Sequence, residues 1–165
     1  MKYNMAPDYQ RAKGEAIHLL HQFGLERPPV NPMEIAQHLG VKVSFVEFER
    51  KLNNISGFYD FEEDTIFVNM EEYPLRQTFT IAHELGHRIL HAEWAKSSDY
   101  KVLMREGGGA SDPKEAEANV FAANLLVPRF MLDKYWEDVP VTQLSQLFVV
   151  SVPVIKNRIS FEYGA

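Results

Sequence analysis

The sequence contains no cysteine in 165 residues. That absence excludes disulfides, Cys-ligated zinc, iron-sulfur clusters and thiol nucleophiles, so any metal must rest on His, Asp or Glu. No run of about 18 apolar residues exists, which excludes a membrane-spanning helix. Positive charge is also in short supply. Lys plus Arg number 17 against 23 Asp plus Glu, a net charge of -6, and the basic residues are scattered. Nonspecific nucleic-acid affinity comes from Lys and Arg displacing counterions, so this balance argues against a domain built to neutralise phosphates. Residues 1–10 are polar and lack the apolar stretch of a secretory signal, which leaves the cytoplasm as the expected compartment. Internal repeats and low-complexity tracts are absent too.

What is present is enough for one core. With 45% hydrophobic residues, a chain of this length buries most of its apolar surface without staples. Residues 7–23 carry Ala12, Ala16, Ile17, Leu20 and Phe23 at helical spacing, and Gly24 supplies a stop. After Pro28-Pro29, Asn31, Pro32 and Glu34 read as an N-cap, a first-turn proline and a capping-box acid of a short helix ending at Gly40. Alternation over 41–48, 55–59 and 65–69, with an acidic turn at 60–64, predicts a small antiparallel sheet. Helical periodicity returns over 75–94, 113–127 and 129–136 and in two short helices after Thr142. Phe23, Phe45, Phe58, Phe67 and Phe121 are expected in the core. A mobile segment is expected over 96–112, around Gly107, Gly108 and Gly109.

Within Thr80-Ile81-Ala82-His83-Glu84-Leu85-Gly86-His87 lies the pattern His-Glu-x-x-His on a predicted helix. Two histidines four residues apart share one face and can reach one cation, while the Glu beside the first points toward a water on that cation. Phe79, Ile81, Leu85, Ile89 and Leu90 make the helix apolar around much of its circumference, and burying His and Glu without partners is costly.

A catalytic zinc usually keeps three protein ligands, so a third is needed. His91 follows His87 at the same spacing but stands roughly 12 Å of helical rise from His83; a place near the cleft rim is expected for it. The downstream helix starts at Asp112-Pro113 and offers Glu115, with Glu117 as competitor, rotated about 200° onto another face. Glu115 is preferred, because Ala118, Ala122 and Ala123 allow close packing on the histidine helix. Asn119, one turn on, would then hydrogen-bond a ligand histidine. Glu84 is expected as the general base. An oxyanion stabiliser would complete such a site, with Tyr100, Arg105 and His91 as candidates. Arg76 is expected to pair with a carboxylate rather than to act in catalysis.

These segments resemble the ImmA/IrrE family of metallo-endopeptidases. The likeness runs through residues 31–43 (NPMEIAQHLGVKV), 55–59 (ISGFY), 76–87 (RQTFTIAHELGH) and 115–128 (EAEANVFAANLLVP). The resemblance implies an α+β fold, a mainly helical zincin-like (thermolysin-like) core with the small sheet, in a single domain over 1–165. It also implies zinc, with manganese as the alternative ion, and Glu115 as third ligand. The implied partner is a protein substrate, a helix-turn-helix repressor cleaved under regulation. Residues 141–159 look like a helix-turn-helix packed on the core from about residue 139 onward. Only Lys156 and Arg158 are basic there, so direct nucleic-acid binding is not the expected role. Two further readings stand beside the peptidase: a metal-containing, antitoxin-like binding module that sequesters its partner, and a DNA-binding regulator using the C-terminal helices.

Overall fold

The structure is a computed structural model that describes residues 6–49, 55–97, 100 and 112–165. Helix α1 (Tyr9–Gln22) starts where the Asp8 carboxylate accepts from the Arg11 N–H, and it buries Ala12, Ala16, Leu19 and Leu20, one stripe of a 3.6-residue repeat. Helix α2 (Pro32–His38) starts as its sequence dictates, with the Asn31 side chain accepting from the Met33 N–H and Pro32 in the first turn. Strands β1 (Lys42–Val46), β2 (Gly57–Asp60) and β3 (Thr65–Asn69) follow. The rest is helical: α3 (Pro74–Leu90), α4 (Ala92–Ala95), α5 (Pro113–Leu126), α6 (Arg129–Leu132), α7 (Val141–Phe148) and α8 (Val152–Tyr163). The fold is mixed α+β. Among the described residues no helix is long and apolar enough to cross a membrane.

The sheet is mixed rather than antiparallel. Its order is β1-β3-β2, with β2 antiparallel and β1 parallel to β3. The turn at 61–64 ties β2 to β3 as a hairpin, whereas ten residues separate β1 from β2. The most apolar strand, β3, therefore takes the centre, where four of its five residues are buried. Tyr59, Ile66 and Val68 face the helical core. Phe58 and Phe67 stack on the opposite face at 5.0 Å and are only half-buried. Phe45, expected inside, is 41% exposed because β1 is an edge. Phe23 packs half-buried on the core and Phe121 is fully enclosed.

Two close approaches position the site. A Cβ on Gly86 would stand 3.0 Å from the Phe121 ring and 3.3 Å from Ala118 Cα, so this glycine lets α5 lie against α3. At Gly57 a Cβ would meet the Phe67 carbonyl oxygen at 2.5 Å and the Thr80 methyl at 2.7 Å, so β2 can lie against α3 only with glycine there. Helix α5 is packed on its other side by α1. The continuous helix expected over 75–94 is interrupted: His91, at φ -132 and ψ 32, ends α3 and begins α4.

Candidate metal centre

His83 and His87 sit one turn apart on α3, and Glu115 faces them from the first turn of α5. His87 Nε2 lies 2.7 Å from Glu115 Oε1 and His83 Nε2 lies 3.2 Å from Oε2. One ligand atom from each of the three falls within 4.8 Å of the others, and no second such cluster exists among the described residues. A tetrahedral ion with bonds of about 2.0–2.2 Å holds its donors roughly 3.3 Å apart. Two imidazoles and one carboxylate, a donor set suited to a divalent cation and gathered within 4.8 Å of one another, fit one.

The far sides of the rings differ. His83 Nδ1 is 2.8 Å from Asn119 Oδ1, the partner expected from the spacing of Asn119 and Glu115. His87 Nδ1 is 2.9 Å from His91 Nδ1, and His91 Nε2 is 2.9 Å from Glu117 Oε1. His91 is therefore neither at the cleft rim nor available to an oxyanion. It is buried behind His87 with both nitrogens engaged, because the chain leaves helical geometry there and the ring turns under α3. Glu117, on another face from Glu115, reaches His91 instead of the cluster. Sequence reasoning missed this pairing; His91 four residues beyond His87 was the available signal.

Glu84 is 3% exposed. Burial is the main reason its pKa is pushed up to about 8; His83 pulls it down and the Glu115 charge pushes it further up. Tyr100 is buried beside it. Its Oη accepts from the Tyr59 N–H at 2.7 Å and lies 3.4 Å from Glu84 Oε2, to which it donates. Of the other oxyanion candidates, Arg105 lies outside the described residues, as do Gly107, Gly108 and Gly109.

The two histidines around the shared carboxylate shift in opposite directions. Burial depresses His87, down to about 4, more than Glu115 can restore. Burial opposes charge on His83 as well, but Glu115, Glu84 and Asn119 together carry it above its ordinary value. Glu115, although burial raises it, is held well below the usual carboxylate range by hydrogen bonds from both rings.

His83, Glu84, Glu115 and Asn119 line a cleft of about 630 Å³. Ser56 and Gly57 line it from β2 and the residue before it, Arg76, Phe79 and Thr80 from α3, and Val150 and Ser151 of the α7–α8 connection with Val154 of α8 complete it. Nothing in the sequence assigned the last three to the site. Arg76 pairs with a carboxylate as expected: its Nε stands 3.6 Å from Glu72 and donates to Ser56 Oγ at 3.1 Å.

The family model described as IrrE N-terminal-like domain matches residues 36–160, which hold every member of the cluster. The chain belongs to the ImmA/IrrE family. An ImmA/IrrE relative, the radiation response metalloprotease IrrE of Deinococcus deserti, is 30% identical over 74% of this chain and 42% of its own length. An uncharacterized immunity region protein 2 of Bacillus phage phi105 is 29% identical over 64% of this chain and 63% of its own. The fold is shared with a Mycobacterium tuberculosis transcriptional regulator, at a TM-score of 0.62 and 17% identity over 92% of this chain and 46% of that one. The chain thus spans less than two thirds of each of these proteins.

Proposed function

We propose that this ImmA/IrrE chain is a zinc-dependent endopeptidase of the cytoplasm, with manganese as the alternative ion, acting on a specific protein substrate. The substrate we assign is a helix-turn-helix transcriptional repressor. The observation that carries the reading is the convergence of His83, His87 and Glu115 beside the buried Glu84 at the floor of an open cleft. The likeness to a phage immunity-region protein and to a radiation response metalloprotease supports a regulatory setting. With the reading goes a zincin-like core made by α3, α5 and β2, one domain over 1–165, and α7 and α8 as a helix-turn-helix-like element packed on that core.

His83, His87 and Glu115 would hold the ion. A bound divalent cation supplies Lewis acidity, polarising the scissile carbonyl and bringing the pKa of a water toward neutrality. Asn119 holds the His83 ring with its Nε2 facing Glu115. Glu84, in its carboxylate form beside the three ligands, would take the proton of the attacking water. As the C–N bond breaks, Glu84 returns that proton to the departing amine, so a carboxylate and an amine leave and no covalent enzyme intermediate forms. Tyr100 would steady the developing oxyanion only by turning its single hydroxyl proton away from Glu84, to which it makes a long 3.4 Å hydrogen bond.

The DNA-binding alternative loses its main support. Arg158 is 4% exposed and donates to the Val127 carbonyl and to Glu162, so of the two basic residues only Lys156 faces solvent. The test is to incubate the metal-loaded protein, wild type beside Glu84→Gln, with the product of the neighbouring gene, a helix-turn-helix repressor on this reading, and to read fragments by mass spectrometry. Cleavage by the wild type alone is the expected result. Equal relief of repression by both proteins, with the repressor intact, would establish sequestration instead.

A further inference from the structure

We propose that His91 and Glu117 are positioning residues for His87: a two-residue strut behind the ring that fixes its orientation and tautomer. The proposal rests on the reading of His83, His87 and Glu115 as metal ligands. An imidazole that binds a cation through Nε2 carries its proton on Nδ1, and whatever accepts that proton sets the ring plane and raises the basicity of the ligating nitrogen. His83 uses the simplest solution, one amide oxygen, at Asn119. Among the described residues, no amide or carboxylate meets His87 Nδ1. It meets His91 Nδ1 at 2.9 Å.

With a cation on His87 Nε2 in place of the proton it shares with Glu115, and with His91 neutral, only one assignment of protons satisfies both rings. His87 Nδ1–H donates to His91 Nδ1, which must then be bare, so the proton of His91 is on Nε2 and donates to Glu117 Oε1 at 2.9 Å. The second carboxylate oxygen, Glu117 Oε2, accepts from the Asp8 backbone N–H at 2.9 Å, at the N-cap of α1. Arg11, one turn into α1, donates from Nη2 to the Leu90 carbonyl at 3.2 Å, holding the end of α3 from which His91 departs. The side chains are sealed, His87 at 0%, His91 at 5% and Glu117 at 13% exposure, and Trp94 flanks both rings at 5.3 and 6.0 Å. The break in the helix at His91 lets the ring take this place; in a continued helix it would point along the same face as His87. The donor sequence runs one way, from the ring of His87 to a carboxylate anchored on the first helix.

The test uses the full chain and zinc ion alone, in competition with a chromophoric chelator, with cobalt(II) absorption as a second readout and thermal melting to verify folding. His91→Leu, which leaves the His87 N–H buried without an acceptor, is expected to weaken zinc binding by about 10- to 100-fold and to alter the cobalt spectrum. His91→Asn places Oδ1 where Nδ1 stands and is expected to recover affinity to within about fivefold of wild type. Glu117→Gln, still an acceptor but uncharged, is expected to fall between the two. Folded His91→Leu that binds zinc within about twofold of wild type with an unchanged cobalt spectrum overturns the strut alone, as does His91→Asn no better than His91→Leu. A wild-type chain that binds no zinc brings down the metal reading itself, and the strut with it.

Discussion

Helix pairs α3/α5 and α7/α8 both carry polar residues at helical spacing on largely apolar elements, and both invite a functional reading. They handle those residues in opposite ways. On α3 and α5, His83, His87 and Glu115 have one another as partners across a gap that opens into the cleft. On α8, Arg158 turns inward to a backbone carbonyl and to Glu162, whose carboxylate also receives Lys13 and Arg129. The first set converges beside the cleft, where a cation can replace the contacts its members make with one another; the second is saturated by a backbone carbonyl and fixed charges and is closed. Function is thus marked less by charged residues on a helix than by whether their partners adjoin a cavity that can admit a ligand.

The strongest way to break this contrast is to remove the carboxylate that both histidines share. Glu115→Ala is expected to lower zinc affinity by at least about a thousandfold, since a three-ligand site loses a third of its donors and its only charge. Stoichiometric zinc surviving dialysis of that variant against a chelator would show that the converged set is ordinary packing. Next in size is Glu84→Gln, for which repressor cleavage is expected to slow by about 10²- to 10⁴-fold while zinc content stays at the wild-type level. Loss of zinc together with activity would assign Glu84 a structural role.

For the closed set the expected currency is stability. Arg158→Leu should cost about 2–4 kcal/mol in denaturant unfolding, somewhat below the usual figure for breaking a buried pair because Glu162 keeps two other cations. Zinc affinity should not move; if it does, the two helix pairs are coupled. The smallest effect is the pH response of Glu162. Burial raises its pKa, but Lys13 and Arg158 outweigh that and hold it below its ordinary value of 4.5. Above that value the carboxylate is charged in both folded and unfolded chains and its stabilisation is complete. As pH falls below 4.5 the unfolded chain takes the proton first, so stability declines until the lower folded pKa is passed. Unfolding curves of Glu162→Gln should therefore be flatter than wild type over that window, and parallel curves would refute the assignment.

The legible part of the site is its local part. His83, Glu84 and His87 share one helical segment, and Glu115 with Asn119 another, so spacing alone placed each group on a face. What escaped required knowing which faces meet. The parallel pairing of β1 with β3 depends on strands far apart in sequence, and alternation cannot distinguish it from a hairpin. Phe45 alternates correctly and is still exposed, because edge position is a property of the sheet. The strut behind His87 needed both the break at His91 and the side of α5 that carries Glu117, and the wall contributed by Val150 and Val154 needed the return of the last two helices.

Gly86 adds a consequence for the choice of ion. Both histidines ride on α3 and Glu115 rides on α5, so the span between imidazoles and carboxylate is set where the helices touch, at a residue whose side chain is one hydrogen. Zinc bonds its ligands at about 2.0–2.3 Å and calcium at about 2.3–2.6 Å. That difference of tenths of an ångström is the same size as the yielding a methyl group at Gly86 would demand of Phe121. A side chain at residue 86 would thus press on α5, and so on the element that carries Glu115, by an amount comparable with the difference between those ions.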